Sequence, residues 1–176
     1  MKKAFTMIEL VFVIVILGIL AAVSIPRLTA TRDDAEIAKM AANYTTLVND
    51  IAAYYTSQGK IADGGIPEMT NVVVYDANHK PLTSGTEGYL ISGNKKCIHI
   101  KIEVETETKR PTYIYSEPGA NKDDPVCAAV LALDAVKAIM YATVNAEVYT
   151  QGVWKPAMPA GKFKYGYQIS GNGVVF

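Results

Sequence analysis

Lys2-Lys3-Ala4-Phe5-Thr6-Met7-Ile8-Glu9-Leu10 opens the chain and runs directly into a nearly uninterrupted apolar stretch, Val11 to Ile25. From Phe5 to Ile25 the run is about the ~20 residues that cross a bilayer. Glu9 is the informative residue. An ionised carboxylate is costly in hydrocarbon unless it has a partner, so an acid in such a segment marks function. Once Lys2 and Lys3 are set aside, nothing nearby supplies a cation. The two lysines place the N-terminus in the cytoplasm by the positive-inside rule, and the rest of the chain on the far side.

Three readings compete for this segment. A secretory signal has the basic start and the apolar core, and Ala22 and Ser24 form a small-x-small pair. Cleavage after Ser24 would leave Pro26 two residues past the cut, and a secretory signal has no use for Glu9. A plain membrane anchor tolerates Glu9 without requiring it. A cut after Ala4 uses every residue. It frees an α-amine on Phe5, four residues from Glu9, and removes Lys2 and Lys3. Formal side-chain charge falls from 17 − 17 = 0 to 15 − 17 = −2. A copy docked one step along can then offer its Phe5 amine to Glu9. Such a pair offsets much of the cost of the carboxylate in apolar surroundings and sets the register between copies.

Ala4-Phe5-Thr6-Met7-Ile8-Glu9-Leu10 resembles the class III signal of type IV pilins and type II secretion pseudopilins, whose pattern is Gly-Phe-Thr-Leu-Ile-Glu-Leu before an apolar helix. The similarity continues through Gly18-Ile19-Leu20-Ala21-Ala22 to Pro26 and covers the first ~30 residues. Ala4 stands where Gly is usual. Met7 replaces Leu at nearly equal volume. The resemblance implies processing at Ala4 and Phe5 by a prepilin peptidase, N-methylation, and self-association into a helical fibre through Phe5 and Glu9. It also implies an assembly platform protein and an ATPase as partners. The subunit would wait in the inner membrane as a single-pass protein with its head in the periplasm, then enter a periplasmic pseudopilus or a surface fibre.

The remaining chain reads as one modest globular part in a protein of 176 residues. Seventeen basic residues balance seventeen acidic ones, so bulk charge implies no nucleic-acid partner. Pro26 lacks a backbone donor and is expected to kink the helix. Helical patterning then resumes, with Ile37, Ala41, Tyr44, Val48, Ile51 and Tyr55 on one stripe. Gly59 is a natural stop. Beyond it, Asn71 to Tyr75 is β-rich, Gly88 to Ser92 and Cys97 to Thr106 form a hairpin about Gly93-Asn94, and Pro111 to Ser116 returns as the next strand. Asp124-Pro125 opens a second helix with Val126, Val130, Leu133, Val136, Met140 and Val144 on its buried stripe, which Lys137 interrupts. Phe163, Tyr165, Tyr167 and Ile169 alternate with polar residues as a half-buried strand. The fold class is therefore α+β: a long N-terminal helix packed on a small antiparallel sheet, with a second helix in the head. The segments are a leader at 1–4, a transmembrane or fibre-core helix at 5–25, an amphipathic half of that helix at 26–58, and a head at 59–176.

Cys97 and Cys127 lie in an oxidising compartment by this topology, and one disulfide is the simplest reading. A single bridge also resembles the heads of some pilin-like chains. Cys97-Ile98-His99 puts a thiol and an imidazole on one strand face, but a metal site needs further ligands and catalysis an orienting acid, and neither is recognisable. No metal site and no catalytic residue are assigned. His79 falls in a turn and reads as solvated. Asn121, Asp123 and Asp124 could ligate calcium, as a loop in some major pseudopilins does, although that loop is not recognisable here; Asp124 is explained as a helix cap. No cofactor is expected. Lys162, Phe163, Lys164, Tyr165 and Tyr167 mimic a patch for single-stranded nucleic acid, yet strand alternation parts the lysines from the aromatics. The reading is a non-enzymatic pilin-like subunit. The alternatives are a membrane-tethered periplasmic binding module that never polymerises, and a competence pilus subunit for DNA uptake.

Overall fold

One helix, α1, runs from Met7 to Gln58. Gly59 ends it in the left-handed region, φ 70°, and its N–H donates to the Tyr55 carbonyl at 2.8 Å. The structure is a computed structural model and describes residues 6–103, 113–142, 147–150, 153–156 and 167–169. It divides into two compact units, Met1–Glu36 and Ile37–Phe176. In the first unit the described side chains from Thr6 to Ile25 are all exposed. The backbone at Pro26 is assigned to the same helix.

In the second unit α1 becomes one-sided. Tyr44, Val48 and Ile51 are buried, and Ile37, Ala41 and Tyr55 pack beside them. Met40 and Leu47, left off the sequence stripe, are buried as well. The apolar face is wider than a single row because a helix lying on a core buries flanking positions too. These residues share one core with Leu90, Ile98, Ile100, Ile102 and Ile114.

Those partners come from an antiparallel sheet of β1 (Glu87–Ser92), β2 (Lys95–Glu103) and β3 (Tyr113–Pro118), with β6 (Tyr167–Gln168) on the far edge. The β1–β2 turn is Gly93-Asn94, with Gly93 at φ 56°. Ile98, Ile100 and Ile102 point inward in strict alternation. The register sets Ile100 between Gly88 and Ser116, and His99 between Tyr89 and Glu117. Tyr167 is half-buried and Ile169 buried. The remainder of the expected last strand, Phe163 to Gly166, lies outside the described residues, as do Thr106 and Val144.

The segment Asn71 to Tyr75 is not a strand. Only Tyr75 makes bridges, to Pro81 and Tyr89. The chain turns at once on Asp76, whose Oδ1 accepts from the N–H groups of Asn78 at 2.7 Å and Lys80 at 2.9 Å. The Lys80 N–H above all holds this carboxyl below its ordinary range, against some desolvation. The second helix is also not continuous. It is α3 (Pro125–Ala132) and α4 (Asp134–Met140), parted by Leu133 in an extended conformation. Leu133 is 37% exposed, not buried. Cys127 and Val130 set the buried phase of α3. Carried on unbroken, that phase would bury Asp134 and Lys137; the break lets Val136 and Met140 take their place. Asp124 caps α3, its Oδ1 accepting from Val126 N–H at 3.2 Å.

Two elements were not anticipated. A short helix, α2 (Ile66–Met69), buries Ile66 and Met69 with Pro67 in its first turn. A hairpin pairs β4 (Glu147–Thr150) with β5 (Val153–Pro156).

Gly65 begins α2 at φ 80°, and a Cβ there would strike the backbone of Gly85. The two segments are pinned by Ile66 N–H to the Gly85 carbonyl at 2.8 Å and by Gly85 N–H to the Gly64 carbonyl at 2.9 Å. At Gly93 a Cβ meets nothing. Gly65→Ala is therefore expected to cost about 2 kcal/mol or more, and Gly93→Ala only the ~1–2 kcal/mol of left-handed backbone strain. Urea unfolding of the full chain in detergent checks the order; equal losses would contradict the close approach.

Tyr44 is fully buried, and among the described residues its hydroxyl has no hydrogen-bond partner. Burial pushes the phenol up to about 12; the Ser116 side chain opposes the rise without reaching hydrogen-bond geometry, and Tyr141 adds to it. The folded chain thus holds this proton more tightly than the unfolded chain, which releases it near pH ~10. The resulting stability is whole below pH ~10 and is lost as pH climbs toward 12. Tyr44→Phe is expected to leave stability at pH 7 unchanged or raise it by up to ~1 kcal/mol. It should also flatten the loss from pH 10 to 12. Urea midpoints across this range decide it.

Candidate processing and assembly site

The first described residue, Thr6, is the N-cap of α1 and Glu9 sits in the first turn. Their side chains close a reciprocal ring. Thr6 donates to Glu9 Oε2 twice, through its backbone N–H at 3.0 Å and its hydroxyl at 2.8 Å. Glu9 N–H donates back to Thr6 Oγ1 at 3.3 Å. This is a capping box, which satisfies helix-end donors that would otherwise stay open. The carboxylate also faces the positive end of the helix dipole. No cation stands beside Glu9 among the described residues, yet it is not unpartnered. Thr6 supplies neutral donors in place of a cation, and Thr-x-x-Glu before an apolar run is itself a sequence signature.

Oε2 carries both bonds from Thr6, and Oε1 accepts none among the described residues. The arrangement therefore orients one oxygen and leaves the other to a new donor. Ala4 and Phe5, expected to flank the cut, lie outside the described residues, as does the side chain of Pro26. Beyond Glu9 the helix is long and apolar enough to cross a membrane. Its most apolar window has mean hydropathy 2.9 and none of it is buried within the structure.

Residues 1–25 match the family model described as the prokaryotic N-terminal methylation motif. The N-terminus is a class III signal. It is the signal of type IV pilins and pseudopilins, and it supports a pilin-like subunit processed by prepilin peptidase. Together with the apolar helix it points to membrane anchoring, and to a structural role rather than an enzymatic one. No curated protein and no solved structure matches the chain.

The head places the other candidates. Cys97 and Cys127 form a disulfide, Cα atoms 4.8 Å apart, tying β2 to α3. His99 does have carboxylates beside it, Glu117 at 2.7 Å and Glu87 at 2.9 Å, so the orienting acid missing from the sequence reading exists. Cys97 is nevertheless consumed in the bridge, and His99 does not line the groove between α1 and α2. Asn121 Oδ1 accepts from Lys96 N–H at 2.9 Å, and Asp124 caps α3 while its Oδ2 lies 3.5 Å from Lys95 Nζ. These oxygens are thus engaged within the fold. Among the described residues no group of three or more His, Cys, Asp or Glu is placed to hold a metal. His79 is not simply solvated: it adopts φ 62°, and its Nε2 is buried with no partner among the described residues. Lys162, Phe163, Lys164 and Tyr165 fall outside the described residues.

An open groove of about 550 Å³ runs between α1 and α2. Its two acids are Asp50, which accepts from the Thr70 hydroxyl at 2.6 Å, and Glu68, which accepts from Gly64 N–H at 3.1 Å.

The capping box makes a local prediction. Thr6→Ala removes the hydroxyl, and the first turn of α1 is expected to loosen by about 1 kcal/mol, whereas Thr6→Ser retains it. Amide hydrogen exchange of Glu9 and Leu10 in micelles reads this directly. Equal exchange in the two variants would show that the hydroxyl contributes nothing.

Proposed function

We propose that the protein is a structural subunit of a type IV pilin-like fibre, and specifically of a short periplasmic pseudopilus of a type II secretion system. The capping box at Thr6 and Glu9, set inside a class III signal, is the observation that carries this reading. The precursor sits in the inner membrane with its head in the periplasm. Prepilin peptidase cuts after Ala4, and the new Phe5 amine is methylated.

Assembly exchanges lipid for the apolar helices of other copies. Both environments are apolar, so the hydrophobic effect alone gives assembly little direction. The pairing of Glu9 with the Phe5 amine of an adjoining copy supplies it. Thr6 holds Oε2, and the incoming ammonium takes Oε1. A charge-assisted bond in a low-dielectric bundle is stronger than its counterpart in water. A platform protein and an ATPase supply the work of extraction. The chain carries as many acidic as basic residues, so its net charge gives no pull toward DNA, which favours secretion over DNA uptake.

The test uses a strain lacking this chain. The wild-type chain is expected to restore protein export, and mass spectrometry should find a methylated Phe5 at its N-terminus. Glu9→Ala should be cut and folded normally but enter fibres at least tenfold less, a loss of about 1.4 kcal/mol or more per contact. Unchanged incorporation would sink the pairing. A mature chain that keeps residues 1–4 would sink the class, and surface filaments with intact export would move the protein to the pilus branch.

A further inference from the structure

His99 lies mid-strand on β2 between two carboxylates on different strands. Its Nε2 is 2.9 Å from Glu87 Oε1 on β1, and its Nδ1 is 2.7 Å from Glu117 Oε1 on β3. The histidine side chain is 17% exposed and the two glutamates slightly over half. The ring stacks on Tyr89, centroids 4.6 Å apart and planes 17° apart. Tyr89 carries Lys96 Nζ 4.9 Å from its own centroid, and that ammonium also donates to the Ala77 carbonyl at 2.7 Å. Lys101 follows two residues along β2, opposite Glu87 and Tyr115 in register. Among the described residues, these are the charged and titratable groups that the contacts and register set around the ring.

A neutral imidazole has one N–H and one lone pair. Between two carboxylates, that lone pair would face an anionic oxygen at hydrogen-bonding distance. Only the imidazolium donates at both ends, and its charge also favours the Tyr89 face. We propose that His99 is a proton-dependent clamp across β1, β2 and β3. Doubly protonated, it donates Nε2–H to Glu87 and Nδ1–H to Glu117. When the ring loses its proton, one of the two bonds goes with it and one outer strand is released from the clamp. The clamp's contribution to stability is therefore present where the ring holds both protons and falls once rising pH removes one of them. Both glutamates are partly solvated, so the effect is modest and weakened by salt.

The test compares the full-length chain with His99→Gln in detergent at pH 5.5 and pH 8.5, by urea unfolding at low salt. The wild type should lead the variant in its folded-to-unfolded ratio by on the order of fivefold more at pH 5.5 than at pH 8.5. Glu87→Gln/Glu117→Gln, whose amides suit a neutral ring, should lose this pH dependence. A lead that is equal at both pH values, or larger at pH 8.5, overturns the proposal, and so does a double variant that keeps the full dependence. Nitrogen-15 NMR of the wild type does not rely on any variant folding. It should find two solvent-protected ring N–H groups on His99 at pH 5.5. One or none overturns the clamp.

Discussion

A single carboxylate in an otherwise uncharged helical run constrains everything the N-terminus can do. Glu9 cannot sit in hydrocarbon without donors around it. The fold meets part of that demand internally, through Thr6, and does so with one oxygen. The helix end gains as well, because its open N–H groups and positive dipole want an anion where Glu9 sits. A residue that looked like a pure cost is thus half compensated before any partner arrives. Among the described residues, what remains unmet is one oxygen and one negative charge, and that remainder suits an ammonium.

The head solves a different problem with familiar means. Three inward isoleucines on β2 and the Tyr44–Ile51 face of α1 occupy one core, to which α3 and α4 add Cys127, Val130, Val136 and Met140. Several polar groups of the described residues hold loops. Asp76 organises its turn, Asn121 holds the start of β2, and Asp124 caps α3. Asn121 and Asp124, which looked like candidate ligands in the sequence, accept from backbone N–H groups in the structure.

Much of this was legible in the residues. The helix, its end at Gly59, the β1–β2 hairpin and the Asp124 cap followed from periodicity and turn chemistry. The misreadings have physical causes. Asn71 to Tyr75 is rich in valine, but propensity cannot tell a strand from an extended stretch that turns before it pairs. The break at Leu133 has no Gly or Pro to announce it; Lys137 on the supposed buried face was the only hint that the phase must reset. The Glu87–His99–Glu117 alignment needed the register of three strands, which distant sequence positions do not disclose. Thr6 is legible as the start of Thr-x-x-Glu, a neutral donor that serves where charge complementarity alone would call for a cation.

The bridge between Cys97 and Cys127 bears on how this head would respond to mechanical load. A subunit within a fibre is pulled along its chain. Thirty residues separate the two cysteines, β3 among them. At ~3.4 Å per residue, about 100 Å of polypeptide is removed from the length that tension can draw out. Force entering through β2 passes across the sulfur atoms into α3, so the strands between them can be unzipped only after the covalent link is cut.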